Sequence, residues 1–181
     1  MEEEIFKSRV AKEGDMKEMV SLINEAYKSE KVKMEGIPRT NEDEILKMLQ
    51  REDSHFILLT TTKEKIVGCV YVKDLDDRNA YFGMLSVDPS YRRRGLGGRL
   101  QNEANAWAVT NKKECMTCWV IDAKQDLRRR YHSQGFRPTG KIHEWSDVDK
   151  VKLRKEFSDS KFLELSKPLR TNKKEEEEPR K

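Results

Sequence analysis

Long apolar runs are missing from this 181-residue chain. No stretch approaches the ~18 consecutive apolar residues that a membrane-spanning helix needs. The acidic start "MEEEIFKS" has no apolar core of the kind a secretory leader carries. Cysteine is also scarce. Cys69, Cys115 and Cys118 are an odd number, build no disulfide framework and suit a reducing interior. "CMTC" has no second pair to complete a zinc site, and residues three apart on a strand point to opposite faces, so Cys115 and Cys118 read as packing residues. No metal site is expected. A net charge of one sign is nearly absent as well: 39% of the residues are charged, yet the balance is only +4. Any anion-binding role must then come from local clustering rather than from the whole. These absences lead us to expect an intracellular, cytoplasmic protein, with the nucleus also open to it and no membrane partner.

What is present reads as alternating strands and helices in one domain over residues 1–169. "IFKSRV" is a first strand. "GDMKEMVSLINEAYKSE" is a helix, with Asp15 placed to cap it and Glu18 three residues on in a capping-box spacing. Met16, Met19, Val20, Ile23 and Ala26 fall on one face of it. A loop, "KVKMEGIPRT", leads to a second helix over Asn41–Gln50 with Ile45, Leu46 and Leu49 inward. "HFILLTT" and "KIVGCVYVK" form a hairpin, "AYFGMLSV" a fourth strand and "CMTCWVID" a fifth. The helix between the last two places Leu96, Leu100, Ala104, Trp107 and Ala108 on one face. Strand, helix, strand at this length is a right-handed crossover, so those strands are expected to be parallel. A helix over Lys124–Gln134, a strand "GFRPTGKI", a charged insertion and a strand "FLELSK" follow. Residues 170–181, "RTNKKEEEEPRK" with Leu169 and Arg170 at the border, read as a disordered charged tail.

The turn before the third helix carries the most chemistry. "VDPSYRRRGLGGRL" puts Arg92, Arg93 and Arg94 and then Gly95, Leu96, Gly97 and Gly98 where a helix starts. The first N–H groups of a helix have no internal acceptors and carry partial positive charge. Glycine lets an anion approach them, and arginine adds full charge. The segment suits a phosphate group. It lacks the Gly-Lys-Ser/Thr of a P-loop and the Gly-x-Gly-x-x-Gly of a dinucleotide fold. What remains is Arg-x-x-Gly-x-Gly, here Arg92, Gly95 and Gly97.

On these residues the chain resembles the GNAT family of acetyl-coenzyme A-dependent N-acetyltransferases. A later "YHSQGF" is similar to that family's Tyr-x-x-x-Gly-Phe motif, giving Tyr131, Gly135 and Phe136. The resemblance implies a mixed α+β fold. Its central sheet would have six or seven strands, mostly antiparallel, with about four helices on both faces and a splayed parallel pair of fourth and fifth strands. It implies acetyl-CoA as cosubstrate. The pantetheine arm would run along Leu85, Ser86 and Val87, the pyrophosphate would lie on Arg92 through Gly98, and Asp122 and Leu127 would lie on the cofactor side. It gives Tyr131 the role of general acid in a direct attack by a primary amine of a small molecule or peptide. Some members carry a glutamate base on the fourth strand; "NAYFGMLSV" holds no carboxylate. Glu35, His143 and Glu144 are candidate bases on loops, and Glu35, Arg39 and Glu144 are candidate acceptor contacts. Two rivals stand beside this reading. One is an acyl-CoA-binding scaffold without catalysis. The other is a nucleic-acid module built on "YRRRG" and "DLRRRYH", although the small net charge argues against expecting a nucleic-acid partner. The amine acceptor and a homodimeric state are not legible.

Overall fold

The computed structural model describes residues 5–169. Among them β1 is Phe6–Val10, α1 Met16–Lys28, α2 Glu42–Leu49, β2 Ser54–Thr61, β3 Ile66–Asp74 and β4 Asn79–Val87. Then come α3 Leu96–Thr110, β5 Cys115–Ile121, α4 Gln125–Ser133, β6 Arg137–His143, α5 Asp147–Lys150 and β7 Phe162–Pro168. All seven strands join one sheet in the order β1-β2-β3-β4-β5-β7-β6. Every pair is antiparallel except β4 and β5, the pair linked by the α3 crossover. A fifth helix, the single turn α5, lies in the charged insertion where the sequence suggested none. The charged tail expected over 170–181 lies outside the described residues.

The middle of the sheet is buried on both faces because two apolar helix stripes cover it, while β1 and β6 at its edges are largely exposed. Leu96, Leu100, Ala104 and Ala108 of α3 repeat at four-residue intervals and pack on Val67, Val70, Phe82 and Met116. Met19, Leu22, Ile23 and Ala26 of α1, with Ile45 of α2, cover Phe56, Leu58, Cys69 and Tyr71 on the other face. Hence β2 and β3 read as near-continuous apolar runs rather than alternating ones. Cys118 is buried and Cys115 only partly so, as their spacing on β5 requires, and both are free.

The expected cap of α1 is built differently. Asp15 does not cap the helix with its side chain. Its carboxylate accepts two bonds from the Arg9 guanidinium at 2.7 and 2.8 Å and one from the Lys12 N–H at 2.8 Å. A charge-assisted fork outcompetes a neutral amide. Glu18 instead accepts the Ile66 N–H at 2.8 Å and pins α1 to the start of β3. At α2, expected over Asn41–Gln50, Asn41 stands just outside the helix and caps it by accepting the Glu44 N–H at 2.9 Å.

Ile23 is fully buried between α1 and the sheet. Ile23→Ala should lower unfolding free energy by about 2–5 kcal/mol, read as a lower denaturant midpoint at unchanged m-value.

Candidate active site

β4 and β5 pair only over Asn79–Cys115, Ala80–Met116 and Tyr81–Thr117. Beyond Tyr81 they part. The cause is visible in β4: its register against β3 slips between Cys69/Ser86 and Tyr71/Gly83, and Met84 takes a left-handed φ of 49°. This extra residue is a bulge, which bends a strand and ends its pairing. From Phe82 to Val87 the β5-facing edge of β4 has no strand partner, while β5 keeps its ladder to β7. Backbone amides must be satisfied, so this internal edge suits an extended ligand that carries amides of its own.

The parted strands open a cleft of about 1390 Å³. At one end lies the turn into α3. Gly95 caps that helix at φ 75°, a left-handed value that favours glycine. Leu96, Gly97 and Gly98 form the first turn, whose amides have no acceptor within the helix. A Cβ built at Gly98 would meet nothing within 4 Å, and one at Gly97 only Leu85 Cδ2 at 3.8 Å. Protein packing therefore does not demand glycine there. The open cleft does, and the site fits a phosphate.

The three arginines divide their work. Arg92 reaches across the cleft and donates to the Ala26 carbonyl at 2.8 Å and to Ser29 Oγ at 3.4 Å, stapling the turn to the C-terminal end of α1. Arg93 lines the cleft. Arg94 lies outside the lining, its guanidinium 5.0 Å from the Tyr91 ring centre. Leu85, Ser86, Val87 and Leu127 line the cleft. Asp122 does not: its carboxylate organises the β5–α4 turn by accepting the Ala123 N–H at 2.7 Å and the Lys161 N–H at 3.2 Å.

Tyr131 lines the cleft from α4, only 7% exposed. Phe82 and Phe136 hold its ring, with centroids at 5.8 and 5.4 Å. Burial pushes the phenol well above its ordinary value, so it stays a neutral donor through and beyond neutrality. His132, the next residue, is exposed.

The opposite mouth is roofed by two loops, one from each half of the divided sheet. The Met34 N–H donates to the Lys152 carbonyl at 2.9 Å and the Arg154 N–H to the Val32 carbonyl at 3.0 Å, around a Lys33–Leu153 bridge. Glu35, Arg39 and Glu144 all line this mouth. Glu144 is ion-paired with Lys161 at 3.1 Å. His143 is not in the lining. It stacks on Trp119 at 3.9 Å and bonds Glu164 at 2.9 Å. That carboxylate is held below the usual range, against burial, by His143 and by the hydroxyl of Thr139.

This strand gap, phosphate turn and buried tyrosine coincide with a family match. Residues 16–136 match the model of the acetyltransferase (GNAT) family. The chain belongs to the GNAT family. Three solved structures carry the same fold. The ribosomal-protein-S18-alanine N-acetyltransferase of Escherichia coli is 17% identical with a TM-score of 0.69, over 91% of this chain and 94% of that one. Ard1 of Thermoplasma volcanium is 16% identical with a TM-score of 0.68, over 91% and 98%. A GNAT acetyltransferase of Elizabethkingia anophelis with acetyl-CoA bound is 14% identical with a TM-score of 0.62, over 91% and 98%. No curated protein matches the sequence significantly. GNAT enzymes use acetyl-CoA as cosubstrate, and among the described residues there is no group of three or more side chains able to hold a metal.

Three residues at the point where the strands part escaped the motif reading. Tyr81 packs against Trp119 at 5.1 Å, and a Cβ at Gly83 would fall 2.5 Å from the Tyr81 hydroxyl. Tyr27 reaches the same cleft from α1. Tyr81 and Gly83 are two apart on a strand and so share a face; glycine there makes room for the tyrosine's tip. That spacing was the available signal.

Gly97→Val places a branched side chain in the open phosphate turn. The variant should fold with unchanged far-UV circular dichroism and lose at least tenfold in CoA affinity by calorimetry.

Proposed function

We propose that this chain transfers the acetyl group of acetyl-CoA to the nitrogen of an amine, with Tyr131 as the proton donor. The observation that carries the reading is the convergence at one point of the cleft: the free edge of β4, the glycine-opened turn at one end, and a neutral buried phenol on the wall between them. Acetyl-CoA supplies the acetyl group already activated as a thioester.

The chain's own residues do the rest. The amides of Leu96, Gly97 and Gly98, with Arg93 beside them, hold a pyrophosphate. Leu85, Ser86 and Val87 offer the β4 edge to an extended arm. Tyr131 Oη holds the proton that a departing thiolate takes, and Phe82 and Phe136 keep its ring from turning away. Arg92 and Lys124 both cross from the cofactor end to the α1 side, Lys124 to the Glu30 carboxylate at 3.2 Å. These contacts keep the two walls at a set separation and limit water between them. They also account for Arg92 without any nucleic-acid partner.

β4 carries no carboxylate, so no side chain of that strand takes a proton from the amine as glutamate would. The amine must arrive in its neutral form, and kcat/KM should rise with pH until the amine's own pKa is passed.

Tyr131→Phe removes one hydroxyl and little packing. Steady-state kinetics with an accepted amine should show kcat reduced by about 10²–10⁴-fold, with CoA affinity nearly unchanged. Wild-type kcat under conditions where chemistry limits turnover would remove Tyr131 from the mechanism.

A further inference from the structure

The point where β4 and β5 part is lined by phenols and faced by cations. Tyr81 stands at the last paired position of β4, its hydroxyl over Gly83. Tyr27 of α1 and Tyr131 of α4 line the same cleft. Aromatic rings attract cations when their faces are free, but these faces are taken. The Lys73 ammonium, from β3 and itself behind the cleft lining, lies 5.2 Å from the Tyr81 ring centre and 5.9 Å from that of Trp119. The Arg39 guanidinium lies 5.3 Å from the ring centre of Tyr27. β5 adds Cys118, whose buried thiol is neutral.

Carboxylates are present but committed elsewhere. Glu30 pairs with Lys124 at 3.2 Å, Asp149 with Lys33 at 3.2 Å and Glu144 with Lys161 at 3.1 Å. Glu164 lies outside the cleft lining, bonded to His143 and Thr139. Glu35 is exposed at the outer mouth, in high dielectric. An ammonium brought to the centre would meet like charge and no anion, and nothing there would relieve it of its proton.

We propose that the acceptor is the α-amino group of a peptide N-terminus, chosen over side-chain and polyamine amines by the carboxylate-free centre of the cleft and the cations that face it. The proposal rests on the acetyl-transfer reading above. The α-amine of a peptide N-terminus is the aliphatic amine most often neutral at physiological pH, with a pKa of about 7.7–8.0 against about 10.4 for a lysine. A free amino acid lacks that advantage, because its own carboxylate stabilises the ammonium. The peptide also carries a carbonyl on the carbon next to the amine, and Arg39 lines the mouth as a donor for that oxygen. A polyamine brings further ammonium groups to the same cations and is disfavoured twice.

The test compares initial rates of the full chain with acetyl-CoA at pH 7 on four acceptors. These are a mixture of free amino acids, a mixture of short peptides varied at the first residue with their side-chain amines blocked, Nα-acetyllysine, and spermidine. The peptide pool should outrun both Nα-acetyllysine and spermidine by roughly 10²–10³-fold, the ratio of neutral fractions at that pH. The advantage should shrink as pH rises toward 10. Faster acetylation of the free amino acids than of the peptides overturns the proposal, because their α-amines are mostly protonated at pH 7. Faster acetylation of Nα-acetyllysine or spermidine at pH 7 overturns the proposal and leaves acetyl transfer standing. If none of the four is acetylated while calorimetry shows acetyl-CoA bound, this proposal falls and acetyl transfer to another amine is left standing; if calorimetry shows no acetyl-CoA bound, the acetyl-transfer reading falls, and this proposal with it.

Discussion

Everything in the site depends on the loss of pairing between β4 and β5 after Tyr81 and Thr117. A sheet interior normally leaves no backbone group unmet. Here the Met84 bulge turns β4 away while β7 holds β5 in place, and an unpaired edge is left inside the protein. Such an edge costs stability in the free chain. It persists because both walls are braced from outside the sheet. Arg92 and Lys124 tie the cofactor end to α1 and its following loop, and the Lys33–Leu153 bridge ties the other mouth across the gap. The cleft is an opening in the sheet that side chains and loops hold at a constant width.

Charge is distributed along that opening in an ordered way. The cofactor end offers helix amides and arginine to an anion. The centre offers neutral phenols, raised by burial in Tyr81 and Tyr131. At the far mouth Glu144 and Asp149 are each paired with a lysine. Near-equal numbers of basic and acidic residues, 37 and 33, are what give a 39% charged composition a net of only +4.

Much of the fold was legible because its signals are local. The four-residue repeat from Leu96 to Ala108 and the apolar runs of β2 and β3 each encode an element without reference to the rest of the chain. The glycine-opened, arginine-flanked turn into α3 was legible for the same reason, since seven consecutive residues carry it. Where competition between distant groups decides, local reading failed. Asp15 looked like a cap, but Arg9 on the neighbouring strand is a stronger partner than a helix amide. Glu18 looked like its capping-box mate and bonds the backbone of β3 instead. Asp122 was expected to face the cofactor and folds its own turn.

The sequence by itself determined the family, the strand–turn–helix that suits a phosphate, and the tyrosine four residues before Gly135, because each is written in contiguous residues whose local conformation follows from their chemistry. Tertiary structure decided which charges remain at the reaction centre. Tyr27, Lys73, Tyr81 and Trp119 lie on four different elements, and the carboxylates Glu30, Glu144 and Asp149 find their lysines across loops. The electrostatic field inside the cleft is a sum of interactions between groups far apart in the chain, and such a sum exists only once the fold has set their distances.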